Sequence, residues 1–299
     1  MKRARFIYNP TSGREELKKN LYEILDTLEG YGIETSCHQT KGSGDAAKAA
    51  VDAANRGFDI VIAAGGDGTL YEVVNGLSPL KIRPKVGIIP AGTTNDFARA
   101  LAIPKAFNQA AEIIGKGKSM AIDIGQYRDR YRNAYFINIA GGGKLTELTY
   151  EVPSKLKTRL GQLAYYVRGI EKLPFIKPIK ITIEADGLTI VEEVMLFLIA
   201  NSNSVGGFEK LAPTADLQDG LFDVIVLKKT SLPEFIRITS HAIKGEHLKD
   251  PKVIHFQTNR LRITQENTEA VLINLDGELG GSLPGEFAVL PKHIEIFIN

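Results

Sequence analysis

The 299-residue sequence predicts an open-sheet α/β domain followed by a mostly antiparallel β domain. Three observations predict it. Ala4–Tyr8 is an apolar run, Asp59–Ala64 is a continuous apolar strand of the kind a parallel sheet covers on both faces, and Val86–Ile89 reads as another buried strand. Segments with apolar residues at the helical period separate them. From about Asp123 the rhythm changes to short strands parted by turn residues such as Asp186-Gly187.

Taken in order, Ala4–Tyr8 ends in Asn9-Pro10-Thr11-Ser12-Gly13, and Leu17, Leu21, Ile24, Leu25 and Leu28 mark an amphipathic helix. Glu34–Thr40 reads as a strand and Asp45–Asn55 as an alanine-rich helix. Asp59–Ala64 runs into Gly65-Gly66-Asp67-Gly68-Thr69, after which Leu70, Val73, Val74 and Leu77 continue as a helix. Val86–Ile89 runs into Pro90-Ala91-Gly92-Thr93-Thr94-Asn95-Asp96, and Phe97, Ala100 and Leu101 begin another helix. Residues 1–125 are thus expected to form the first domain. In residues 126–290, strands are predicted at Ala134–Ile139, Ile179–Ala185, Thr189–Ala200, Leu221–Leu227, Val253–Gln257, Leu261–Thr264 and Ala270–Asp276. Helices are predicted at Leu156–Leu173 and Leu232–Lys244. Residues 291–299 hold a terminal strand, Ile294–Ile298, that can join either domain.

Composition narrows the function classes. Hydrophobic content of 43%, charged content of 24% and a net charge of +2 are ordinary for a globular protein and too weakly basic to argue for nucleic acid. The lone cysteine, Cys37, is expected to be a buried structural thiol, and its solitude fits a reducing compartment. The first residues lack the apolar region of a secretory signal, and no apolar run approaches the ~20 residues that span a bilayer. These features lead us to expect a cytoplasmic protein whose dealings with membrane are peripheral.

Candidate chemistry concentrates at strand ends. In open α/β sheets ligands bind beyond the carboxyl ends of strands, where helix N-termini offer unpaired N–H groups. Asn9–Gly13, Gly65–Thr69 and Gly92–Asp96 all sit there. Their glycines allow close approach, and Thr11, Ser12, Thr69, Thr93 and Thr94 add hydroxyls. Asp67 and Asp96 lie inside two of these loops. A carboxylate ~5 Å from a phosphate oxygen is repelled by roughly 3 kcal/mol at an effective dielectric of about 20. A Mg²⁺ ion between them makes that cost tolerable; binding ribose or capping a helix are the other uses for such an aspartate. Gly42-Ser43-Gly44-Asp45-Ala46-Ala47 has the spacing of a dinucleotide fingerprint but follows the second strand, and GxxxxGK[ST] is absent.

Near the C-terminus, Leu275-Asp276-Gly277-Glu278-Leu279-Gly280-Gly281 closes a strand. In extended chain Asp276 and Glu278 face one side, with glycines permitting approach of a substrate whose hydroxyl needs a proton acceptor. A glycine-rich hairpin with two solvated acids is the competing reading. Asp216-Leu217-Gln218-Asp219-Gly220-Leu221 is a candidate cation loop, or a plain Asp-Gly turn. The five histidines show no metal-ligand spacing.

Taken together, NPTSG at Asn9–Gly13, GGDGTLYE at Gly65–Glu72, PAGTTNDFAR at Pro90–Arg99 and LDGELGG at Leu275–Gly281, with Gly207–Lys210 and Asp219–Leu221, resemble the soluble bacterial diacylglycerol kinases. These are relatives of the sphingosine kinases and, more distantly, of NAD kinases. The resemblance implies an NAD-kinase-like α/β domain and a β-sandwich-like second domain, with the active site in the cleft between them. It implies ATP along Asn9, Pro10, Thr11, Ser12, Gly13, Thr40, Gly66, Asp67, Gly68, Thr69, Leu70, Tyr71, Glu72 and Thr93. It implies catalysis by Glu278 or Asp276 as proton acceptor, with Asp67 and Asp96 at Mg²⁺, and a structural Mg²⁺ held by Asp216, Asp219 and Leu221. The family often has Asn then Glu after GGDGTL, where this chain has Tyr71 before Glu72.

The partners implied are diacylglycerol or a related lipid, an anionic membrane surface and, as in the family, a homodimer. Lys155, Lys157, Arg159, Arg168 and Lys172, interleaved with Leu156, Leu160, Leu163, Tyr165 and Tyr166, suit a helix resting on anionic lipid, or a solvated helix face. The alternatives are a kinase for another lipid alcohol such as phosphatidylglycerol or a sphingoid base, an NAD kinase, and a nucleotide-binding sensor without catalysis.

Overall fold

A computed structural model describes residues 1–143, 177–203, 210–266 and 269–299. The expected helix at 156–173, with its basic residues, and residues 207–209 lie outside them. The chain divides into two compact units, Met1–Asp123 with Pro291–Asn299, and Ile124–Leu290.

The first unit is built on a parallel sheet. Its elements are β1 (Lys2–Tyr8), a 3₁₀ turn at Ser12–Glu15, α1 (Glu16–Lys19), α2 (Leu21–Gly30), β2 (Ile33–Gln39), α3 (Asp45–Asn55), β3 (Ile60–Gly65), α4 (Asp67–Leu77), β4 (Lys85–Pro90), α5 (Asp96–Ala100) and α6 (Phe107–Lys116). β1 pairs in parallel with both β2 and β3, and β3 with β4. The order is therefore β2-β1-β3-β4, extended beyond β4 by the C-terminal end of β15 (Gly285–Phe297) at Ile296. Such an order reverses direction between β1 and β3, so the turns after these two strands flank the crevice where open α/β sheets take ligands. Every residue of β3 is buried, as its unbroken apolar run requires.

Small residues set the layer spacing. Buried Ala46, Ala49, Ala50 and Ala53 bring α3 close to α4, where a side chain on Gly76 would meet the Ala47 carbonyl oxygen at 2.5 Å. The single helix expected over Leu17–Leu28 is two helices. Asn20 at the break donates its side-chain amide to the Glu16 carbonyl (2.8 Å), competing with the helical ladder. Cys37 is exposed, contrary to the expectation of a buried thiol, because β2 is the edge strand of this sheet.

β5 (Ser119–Arg128) enters the second unit and pairs with β6 (Asn133–Phe136). β7 (Ile139–Gly142), β8 (Ile179–Ala185), β9 (Leu188–Ala200), β10 (Phe222–Lys228), α7 (Leu232–Lys244), β11 (Val253–Thr258), β12 (Arg260–Gln265), β13 (Leu272–Leu275) and β14 (Glu278–Ser282) follow. Among the described residues of the second unit, the pairings made by β6 to β14 are antiparallel. The order β14-β13-β7-β9-β8-β12 ends on the first half of β15, while β9 and β11 flank β10. The ladder depends on alternation: β8 buries Ile179, Ile181, Ile183 and Ala185 and exposes Lys180 and Glu184. Ser231 and Glu234 form the capping box that starts α7, and Gly245 in the left-handed region stops it. Among the described residues no helix is long and apolar enough to cross a membrane.

Candidate active site

The three turns singled out from sequence meet in the first unit. Asn9 donates its backbone N–H to the Ala64 carbonyl (3.0 Å), and Ala91 donates to the Gly65 carbonyl (2.8 Å), so each turn is tied to its neighbour. Gly13 has φ +60°, and a side chain there would lie 2.4 Å from the Ala91 carbonyl oxygen. A side chain on Gly92 would lie 2.5 Å from the Gly66 Cα. The glycines are thus needed first for turn-on-turn packing. The result is a set of backbone turns at the β1/β3 crevice and the N-terminus of α4, whose N-cap, Gly66, contributes no side chain.

Polar side chains shape these turns. The Asn9 side-chain oxygen accepts the backbone N–H (3.0 Å) and the hydroxyl (2.9 Å) of Thr11, an Asx turn that brings the Ser12 N–H onto the Asn9 carbonyl (3.2 Å). Asp67 accepts the Thr94 hydroxyl (3.1 Å) and lies 3.4 Å from the Phe97 N–H, linking the second turn to the third. Thr69 and Leu70 are buried, the Thr69 side chain packing under Gly65 rather than facing outward. Gly68 and Thr93 are exposed, Pro10 and Tyr71 half-buried, and Thr40 donates its N–H to the Tyr8 carbonyl (2.9 Å) beside the first turn. Asp96 opens α5 and forms an ion pair with Arg99, one turn on.

Glu72 has a different post. Its carboxylate accepts the N–H groups of Gly44 (2.8 Å) and Ala46 (3.0 Å), capping α3 from a neighbouring helix. The helix start of the GSGDAA segment is thereby filled by a carboxylate of the protein itself.

In the second unit the acidic pair divides. Asp276-Gly277 is the two-residue turn of the β13–β14 hairpin, with φ +50° and +95°, so Asp276 and Glu278 do not face one side of an extended strand. Asp-Gly between paired strands demands this left-handed turn. The Asp276 carboxylate turns back to accept three backbone N–H groups, from Ile137 (2.7 Å), Asn138 (2.9 Å) and Ile139 (2.9 Å). That clamp also splits the strand expected at Ala134–Ile139 into β6 and β7. Glu278 begins β14 and is exposed. Gly280 and Gly281 give room to the protein rather than to a substrate. Leu275 fills the space beside Gly280, and Tyr127 and Asp129 that beside Gly281.

The cation-loop candidates Asp216 and Asp219 are both exposed. Each accepts the N–H two residues ahead, from Gln218 (2.9 Å) and Leu221 (2.9 Å), two successive Asx turns that curl the segment. Among the described residues no group of three or more His, Cys, Asp or Glu could hold a metal ion, so such a loop would rely on backbone carbonyls for its remaining ligands.

Sequence reasoning passed over Asn95. It is buried, sits at φ +49°, and brackets Gly92 by accepting its N–H and donating to its carbonyl, both at 2.8 Å. Asparagine's tolerance of the left-handed region was the available signal. Also unforeseen was the buried Asp223, which accepts from Thr214, His255 (2.6 Å) and Gln257 (3.1 Å).

Residues 3–127 match the family model of the diacylglycerol kinase catalytic domain, and residues 148–298 that of the YegS C-terminal NAD kinase beta sandwich-like domain. The chain is 56% identical over 297 residues to a diacylglycerol kinase of Bacillus subtilis (strain 168), covering 99% of this chain and 96% of that one. It is 47% identical over 296 residues to a diacylglycerol kinase of Staphylococcus aureus (strain MRSA252), covering 99% and 92%. A crystal structure of a diacylglycerol kinase from Bacillus anthracis str. Sterne superposes with a TM-score of 0.79 at 28% identity, covering 100% of this chain and 97% of that one. With paired domains, full-length relatives and a matching fold, the chain belongs to the diacylglycerol kinase family.

Proposed function

We propose that the chain transfers the γ-phosphoryl group of ATP to the free hydroxyl of diacylglycerol, giving phosphatidic acid and ADP at the cytoplasmic membrane surface. The observation that supports this best is the meeting of three glycine-bearing turns at the carboxyl edge of the first sheet. Asn9–Gly13, Gly66–Thr69 and Thr93 line the polyphosphate site, the Gly13 N–H and the first turn of α4 offering backbone donors and Ser12 and Thr93 offering hydroxyls, with Thr40, Leu70 and Tyr71 around the nucleotide. Glu72 contributes indirectly, through α3. Asp67 is a hard anionic oxygen donor beside this cradle and suits Mg²⁺, directly or through water. Asp96, paired with Arg99, is less suited to hold cation. Bound Mg²⁺ supplies charge neutralisation at the transferring phosphoryl group.

Glu278 takes the proton of the attacking hydroxyl as the new O–P bond forms and the bond to ADP breaks. Asp276 holds the β6–β7 backbone, since both its oxygens are already engaged by three amide N–H groups, which make it a poorer base. Asp216, Asp219 and the Leu221 carbonyl offer an all-oxygen set for a second, structural Mg²⁺.

The test is radiolabelled ATP with diacylglycerol vesicles, other lipid alcohols and NAD in parallel, alongside calorimetric titration of ATP with and without Mg²⁺. Label should pass to diacylglycerol, and ATP affinity should require metal. Affinity without metal dependence, or label passing only to NAD, overturns the reading.

A further inference from the structure

We propose that the hairpin tip between β5 and β6, residues 128–132, is a docking element for an anionic lipid surface, and that it delivers the Glu278 hairpin to the bilayer. The inference deepens the lipid-kinase reading and rests on it.

The tip reads Arg128-Asp129-Arg130-Tyr131-Arg132, with three cations against one anion. Tyr131 is 83% exposed, although it is a large ring on a four-residue-deep hairpin that offers sheet to pack on. Arg130 stacks its guanidinium 5.6 Å from the centre of that ring. An outward tyrosine stacked with Arg130, on a tip that also carries Arg128 and Arg132, suits the boundary between headgroups and acyl chains. There the ring is half-wet, and each cation gains from the negative surface potential. A water-facing hairpin needs neither.

The tip is held rigid. The Asp129 carboxylate accepts the backbone N–H groups of Tyr131 and Arg132, both at 2.7 Å, and the Tyr127 hydroxyl at 2.9 Å. Burial opposes the charge of Asp129, but hydrogen bonds from Tyr131, Tyr127, Arg132 and Ser282 outweigh it and keep the carboxyl below its ordinary range. The turn therefore persists wherever bilayers do.

The tip is also bonded to the hairpin that carries the proposed proton acceptor. Arg132 donates to the carbonyl of Leu279 (3.1 Å), the residue after Glu278, and the Tyr127 hydroxyl shares its single proton between Asp129 and the Ser282 carbonyl (2.6 Å). Leu279 is itself 48% exposed. A bilayer that takes up Tyr131 thus meets an apolar side chain next to Glu278, where an acceptor lipid would present its hydroxyl. The occupant is a membrane rather than a second copy of this chain. Two copies meeting at these tips would oppose three arginines with three arginines.

The experiment uses the full chain without ATP and measures flotation with phosphatidylcholine vesicles containing about 30 mol% phosphatidylglycerol, the anionic content that sets the surface potential. Arg130→Glu with Tyr131→Ser should lower partitioning by about 20-fold or more, because two unit charges and one interfacial ring are changed. Binding to pure phosphatidylcholine should be weak for both proteins. Turnover of a short-chain diacylglycerol in free solution should be unchanged, which also reports that the variant is folded. Equal partitioning of parent and variant overturns the inference, as does a variant whose only change is a loss of self-association in gel filtration. If the parent floats but phosphorylates neither vesicle nor soluble diacylglycerol, the docking stands and the activity reading fails; the two are separable.

Discussion

Replacing Asp276 separates a structural carboxylate from a chemical one. In Asp276→Ala three backbone donors, on Ile137, Asn138 and Ile139, lose their acceptor at once. A hydrogen bond of this kind contributes about 1 kcal/mol net, and the half-buried setting admits some compensating water. Alanine must also hold the φ of +50°, which costs roughly 1 kcal/mol more. The expected loss is about 3–4 kcal/mol of unfolding free energy, a large share of the total for a natural domain. The chain has no tryptophan, so urea unfolding is followed by far-UV circular dichroism and tyrosine fluorescence. Glu278→Gln is the counterpart: stability within about 0.5 kcal/mol of the parent, ATP affinity unchanged, and turnover lower by about 10²–10⁴. If Asp276→Ala keeps the parent's stability while its turnover collapses, the assignment of roles is reversed.

Gly92→Ala would place a methyl 2.5 Å from the Gly66 Cα and 2.8 Å from the Asn95 side-chain oxygen, whereas Gly66→Ala meets its neighbour at 3.3 Å. Calorimetry with MgATP should show affinity falling at least about tenfold for the first and by less than about threefold for the second, as fits backbone-mediated phosphate binding. Glu72→Ala should lose about 1–2 kcal/mol of stability by uncapping α3, with ATP affinity at saturating Mg²⁺ changed less than in Gly92→Ala; both are read on one set of variants. Asp223 gives a pH prediction. Burial opposes its charge, but hydrogen bonds from His255, Thr214 and Gln257 prevail, and its carboxyl stays below the ordinary 3.8. Stability from this depressed group is present in full above the unfolded value and lost as pH falls through the folded one. The penalty of Asp223→Asn, measured by denaturant titration, should therefore shrink between about pH 5 and pH 2, and a penalty that grows on acidification refutes the sign.

Runs of one period were legible in the sequence. β1, β3 and β4 carry apolar runs with a turn signal behind each, unbroken in β3, and α3 and α4 show their buried faces as spacing. What escaped depends on partners distant in the chain. Asp276 reads locally as one half of an acidic pair, but its bonds are to residues about 140 positions earlier. The same bonds interrupt an apolar run that looked like one strand. Cys37 looked buried because its neighbours are strand-like, yet exposure depends on the place of β2 in the sheet, which no local pattern records. α6 was missed although Ala110, Ala111, Ile113 and Ile114 are all buried. Of the candidate site, the turns were readable and their mutual packing was not, since Gly66 against Gly92 is a relation between loops.

The seat taken by Glu72 bears on where a nucleotide can land. Every helix start facing the sheet's carboxyl edge is an attractive berth for a triphosphate, and a molecule offering several would hold its ligand in competing poses, only one of them productive. By plugging the start of α3 with its own carboxylate, the chain closes a rival berth and meets an incoming polyanion there with repulsion. On the proposed reading, Glu72 would favour a single orientation of the nucleotide from the start of α3, by removing the wrong choice.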